Sequence, residues 1–100
     1  MAEQTQAETP TTVDLAKYIE VRIFGDRPHI RGRRVPVATI AYSAHRGNRT
    51  VPELMYDYTL SESEVLSALL YYQEHQAVID AQETAYQAEL DEMYRLYGKH

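Results

Sequence analysis

Cysteine is absent from this chain of 100 residues, which excludes disulfides, thiolate zinc sites and thiol nucleophiles and suits a reducing cytoplasm. Nowhere do about 18 apolar residues follow one another, and the opening MAEQTQAETPTT has neither a basic stretch nor an apolar run. The expectation is a soluble cytoplasmic protein with no signal peptide and no membrane span. No glycine-rich phosphate loop is present, and His29, His45, His75 and His100 are scattered without metal-ligand spacing. Ser61 and Ser63 suit a helix start better than nucleophilic catalysis, and Asp14, Asp57, Asp80 and Asp91 are expected to be solvated. No catalytic residue, cofactor or metal ligand is therefore assigned, and an enzyme is not expected.

What the chain does have is an apolar content of 44%, enough for one modest core and too little length for two. Its net charge of −5 conceals a bipolar distribution. Residues 20–50 hold seven arginines against two acids, whereas residues 51–100 hold ten acids against two basic groups.

Residues 1–12 are polar and without periodicity, and are expected to form a disordered tail. From Tyr18 to Phe24, Ile19, Val21 and Ile23 alternate with Glu20 and Arg22, the period of a half-buried strand. The run GDRP turns the chain, and HIRGRRV, interrupted by Gly32, supplies a second strand or an irregular hairpin arm. Pro36 suits the first turn of a helix running to about Arg46, with Val37, Ile40 and Ala41 on its inner stripe and Gly47 at its exit. Thr50 and Glu53 have the spacing of a capping box that opens a short helix over about Val51–Tyr58, and Ser61 and Glu64 repeat the device.

From Val65 the seam Val65, Leu69, Tyr72, Gln76, Ile79, Glu83, Tyr86, Leu90, Met93, Tyr97 alternates steps of four and three. It predicts one long third helix, with Gln76 as the place for any bend. Its first half should pack on the domain and its second half should seek a partner. Tyr86, Leu90, Met93 and Tyr97 form the expected interface, and a homodimer is the expected assembly because this stripe would otherwise be bare. Most of the nine tyrosines fall on such stripes, and their large apolar rings with polar tips suit a protein interface that is partly wet.

Helix lengths and linkers give the spacing of a helix-turn-helix core. The first turn of the third helix, Glu62-Ser63-Glu64, is acidic and would be repelled by phosphates, so DNA contact through it is not expected. The alternative nucleic-acid surface is the arginine cluster, with Arg27, Arg31 and Arg33 projecting from the hairpin and Arg34 in a structural role beside the Val35-Pro36 corner. Against it stands a purely structural reading, in which the arginines cap helix ends or pair with the acidic helices. The residues alone leave both open.

The pattern P-x-I-x-G-x-R-V-P-V, read from Pro28, Ile30, Gly32, Arg34, Val35, Pro36 and Val37, resembles domain-of-unknown-function family 433, small bacterial and archaeal proteins that include VapB-type antitoxin relatives. Gly47, the helix Val51–Tyr58, Leu60 and Ser61 follow in the family's order, so the resemblance covers about Tyr18 to His75. Arg33 stands where the family usually has threonine, and Thr59 where proline usually follows the tyrosine. The resemblance implies a mainly α fold: a homeodomain-like three-helix core behind a short N-terminal β-hairpin, here with an extended C-terminal helix. The expected organisation is a tail over 1–12, hairpin and core over 13–76, and a helical extension over 77–100. It also implies an antitoxin role, with a PIN-domain ribonuclease toxin and operator DNA as partners. The alternative is a non-enzymatic homodimeric interaction module.

Overall fold

A computed structural model describes residues 15–21 and 27–98. The expected tail, most of the predicted strand beyond Glu20, and Lys99 and His100 lie outside the described residues. Within them the fold is mainly helical, with a small antiparallel sheet at its N-terminal end. A single turn of helix, α1 (Leu15–Tyr18), leads into β1 (Ile19–Glu20). Tyr18 thus ends a helix instead of opening a strand. Ile19 is buried and Val21 exposed, so the inward alternation does not continue past Glu20.

The hairpin gains a third strand. β2 (His29–Ile30) pairs with β1 in the register Ile19↔Ile30 and with β3 (Val35–Pro36) in the register Ile30↔Val35. Proline cannot donate to a ladder, and Pro36 is tolerated because β3 lies at the sheet edge. The turn between β2 and β3 needs two left-handed residues, Gly32 at φ 77° and Arg34 at φ 58°. Glycine adopts that conformation freely, whereas a residue with a Cβ does so at a cost.

Pro36 also caps α2 (Val37–His45), whose first N–H donates to the Pro28 carbonyl at 2.9 Å. Val37, Ala38, Ile40 and Ala41 form the buried face, one residue wider than the expected stripe. At the exit, a Cβ on Gly47 would come within 2.8 Å of the Ser43 carbonyl oxygen, and Asn48 takes the left-handed turn at φ 56°. Both capping boxes form. Thr50 and Glu53 open α3 (Val51–Tyr58), and Ser61 and Glu64 open α4 (Glu62–Glu74), each through reciprocal main-chain contacts.

The expected long third helix is divided at one residue. His75 leaves helical geometry (φ −129°, ψ 30°), and α5 (Gln76–Tyr97) starts immediately after it. No loop intervenes: the His75 N–H donates back to the Tyr71 and Tyr72 carbonyls, while its own carbonyl accepts from Ile79. The redirected α5 sends Ile79 into the core beside α2 and α4, where Ile30, Ile40, Leu54, Val65 and Tyr72 are also buried.

Candidate functional site

The arginine cluster is held by the chain's own groups. Arg27 forms a two-pronged contact with Glu83 on α5, Nε to Oε2 at 2.8 Å and Nη2 to Oε1 at 3.1 Å, and its guanidinium lies 4.0 Å from the centre of the Tyr86 ring. The planar fork suits a carboxylate, and the cation is drawn to the ring face. Arg31 donates to the Ala16 carbonyl from Nε and Nη2 (3.2 and 2.9 Å) and to the Ile19 carbonyl at 3.3 Å, satisfying acceptors on α1 and β1. Arg33 pairs with Glu64 at 3.5 Å, beside the start of α4. The three arginines expected to form one patch thus serve four different elements, α5, α1, β1 and α4. Arg34, expected to be the structural one, is exposed, and its side chain makes no ion pair or hydrogen bond among the described residues. Arg34 takes the left-handed conformation of the turn and stands exposed.

The structure also joins two residues that the sequence assigned to different surfaces. Arg27 and Tyr86 meet, so Tyr86 is 38% exposed and partly covered. Deeper along α5, Asp80 accepts the Tyr42 hydroxyl at 2.6 Å and the Tyr72 hydroxyl at 3.0 Å. The two rings pack edge to face with centroids 5.8 Å apart, and the Arg46 guanidinium sits 4.0 Å from the Tyr42 ring. The hydrogen bond from Tyr42, then that from Tyr72 and the nearby Arg46 charge, hold the Asp80 carboxyl below its ordinary range. Burial first, then Asp80, pushes both tyrosines up. Asp80 was expected to be solvated and is instead the acceptor that ties α5 to α2 and α4. The available signal was its position next to Ile79, at the last seam residue the core covers.

Beyond Tyr86 α5 has no cover among the described residues. Leu90 and Met93 are about half exposed, and Tyr94 and Tyr97 are 75% and 72% exposed. A shallow hollow runs along Leu90, Met93, Tyr94 and Tyr97. Tyr94 and Leu96, which flank the seam, were not in the expected interface, yet they widen its apolar face. Asp91 borders this hollow, and Glu92 and Arg95, farther round the helix, pair with each other at 2.6 Å.

The histidines lie apart. His29 faces Glu20 at 3.4 Å, His45 lies beside Tyr72, and His75 stacks on Tyr71 with ring centroids 4.1 Å apart. Among the described residues no three His, Asp or Glu side chains are grouped to hold a metal ion, and no helix is long and apolar enough to cross a membrane.

No curated protein and no solved structure matches the chain. The family described as Protein of unknown function (DUF433) matches residues 19–72. That span runs from β1 to the buried tyrosine of α4 and contains Arg27, Tyr42 and Tyr72, while their α5 counterparts Glu83, Tyr86 and Asp80 follow it. With more than half its length in that match, the chain belongs to the DUF433 family.

Proposed function

We propose that this protein is a non-enzymatic interaction module, in which a DUF433 core carries the distal half of α5 as a contact arm for another polypeptide. One observation carries the reading. The face of α5 that the core covers at Ile79, and that Arg27 partly covers at Tyr86, continues through Leu90, Met93 and Tyr97, which stand exposed. A contiguous apolar face of this kind, rich in tyrosine and rimmed by charge, is the composition of a protein interface. The cysteine-free sequence supports work in the cytoplasm.

The test is a double change, Leu90→Glu with Met93→Glu, in the full chain expressed at its native level. Partner chains recovered with the native protein are identified and the complex is reassembled from purified components. The variant is expected to keep its fold, because both residues are exposed, and to lose the complex. An identical set of reassembled complexes would remove the arm from the function.

A second reading makes the module an antitoxin-like regulator that binds a PIN-domain ribonuclease toxin and its own operator DNA. It is favoured by the placement of the arm beyond the matched family span, since the VapB-type resemblance implies neutralisation of a toxin through a segment that follows the core. Because Glu89, Asp91 and Glu92 would be repelled by an acidic nuclease centre, the inhibitory contact in this reading is steric covering by the tyrosines or insertion of Arg95. DNA contact through Arg27, Arg31 and Arg33 would have to displace Glu83, the Ala16 carbonyl and Glu64. A purified nuclease inhibited by the native chain but not by the double variant would favour this reading over the plain module.

A further inference from the structure

We infer that the arm's occupant is a second copy of this chain, paired antiparallel, with Leu90 of each copy against Met93 of the other and Tyr86 against Tyr97. The inference rests on the interaction-module reading and specifies its partner.

The orientation follows from where the core sits. Ile79 is buried in the core, and Arg27 reaches over from the hairpin segment to Glu83 and Tyr86. These are seam positions, so the core occupies the seam side of α5 up to Tyr86. In a parallel pair both cores would lie at the same end and on facing sides of the two helices, each filling the space the other needs. In an antiparallel pair each core faces only the tip of the other helix.

The register follows from the spacing. Tyr86, Leu90, Met93 and Tyr97 are separated by four, three and four residues, a sequence of steps that reads the same in both directions. Antiparallel pairing therefore sets every seam residue opposite another, as a two-fold axis requires. Tyr94 and Leu96 flank the seam on its two sides and would border it.

The seam side chains Tyr86, Leu90, Met93 and Tyr97 together expose about 400 Å² per arm, so their full burial in a pair would remove about 800 Å², the size of a small, weak interface. Glu92 lies on the side away from the seam, whereas Asp91 borders the hollow and Glu89 flanks the seam, so in the antiparallel pair these acids would stand at its wet rim.

The absence of native cysteine makes the test clean. Tyr86→Cys and Tyr97→Cys proteins are mixed and oxidised, and the native chain and a Leu90→Glu variant are examined by sedimentation. The expected result is a 86–97 cross-link between different chains, with little 86–86 or 97–97 product, since like positions would be about 16 Å apart along the axis and a disulfide tolerates only about 7 Å between Cα atoms. The native chain is expected to sediment as a dimer and the Leu90→Glu chain to associate at least tenfold more weakly. Like-with-like cross-links, or a native dimer that yields no 86–97 product, would overturn the antiparallel register. A native chain that stays monomeric at high micromolar concentration would overturn self-pairing. If an arm-dependent complex with another protein survives that result, the interaction-module reading stands. If no complex depends on Leu90 and Met93, both fall.

Discussion

Truncating Ile79 to alanine separates the root of α5 from its arm. Ile79 is the buried residue of this helix, 1% exposed and packed with the residues of α2 and α4 that form the core. Replacing it removes three carbons from a close-packed site whose neighbours are fixed by two capped helices. Isoleucine-to-alanine changes at such sites cost about 2–4 kcal/mol, the loss of transfer free energy plus that of the cavity. For a domain of this size each kcal/mol moves the midpoint by about 4–8 °C, so the predicted fall in Tm is roughly 8–30 °C. Leu90→Ala lies on the uncovered part of the same helix and should change monomer stability by less than about 0.5 kcal/mol. Thermal unfolding followed by circular dichroism makes the comparison, at a protein concentration low enough that association does not contribute. Hydrogen exchange of the amides from 76 to 86 reports whether the root of α5 loses protection with the core. If Ile79→Ala leaves both the midpoint and that protection unchanged, α5 is not anchored through Ile79, and the steric argument for an antiparallel pair fails with it.

Asp80 makes stability depend on acidity. Its carboxyl is held below the ordinary range in the folded state, so its contribution is fully present above the unfolded-state pKa of about 4 and is lost as pH falls through the lower folded value. The Tm difference between the native chain and Asp80→Asn should therefore be constant near neutrality and shrink below about pH 4; a difference that grows on acidification would contradict the assignment. Thr59 holds the left-handed C-cap of α3 at φ 56°, a poor conformation for a β-branched residue. Thr59→Gly should raise stability by about 0.5–1 kcal/mol, measured by urea unfolding, and a loss of stability would show that the side chain matters more than the backbone. Arg31→Ala removes the donor to two main-chain carbonyls and should cost about 1 kcal/mol, whereas Arg34→Ala should be neutral in the same assay; the opposite order would restore the structural role first expected of Arg34.

The local sequence alone determined the parts of this protein whose physics is local. Thr50 with Glu53 and Ser61 with Glu64 satisfy the first N–H groups of their own helices, and Pro36 and Gly47 bracket α2, so those boundaries were readable within a few residues of chain. The alternation of Val65, Leu69, Tyr72, Ile79 and Leu90 likewise marked the side of the helices that carries apolar groups. Only the tertiary structure decided which part of that side is covered. The run Gln73-Glu74-His75-Gln76 contains no helix breaker, and the division at His75 accompanies Ile79 entering the core and Asp80 meeting Tyr42, 38 residues away in the chain. The arginines divided in the same way. Their composition announced a basic cluster, but Arg27 found Glu83 at a separation of 56 residues, and Arg34 stands exposed on a left-handed turn. Charge and periodicity are properties of a segment. The partner of a side chain depends on what the rest of the fold brings within reach.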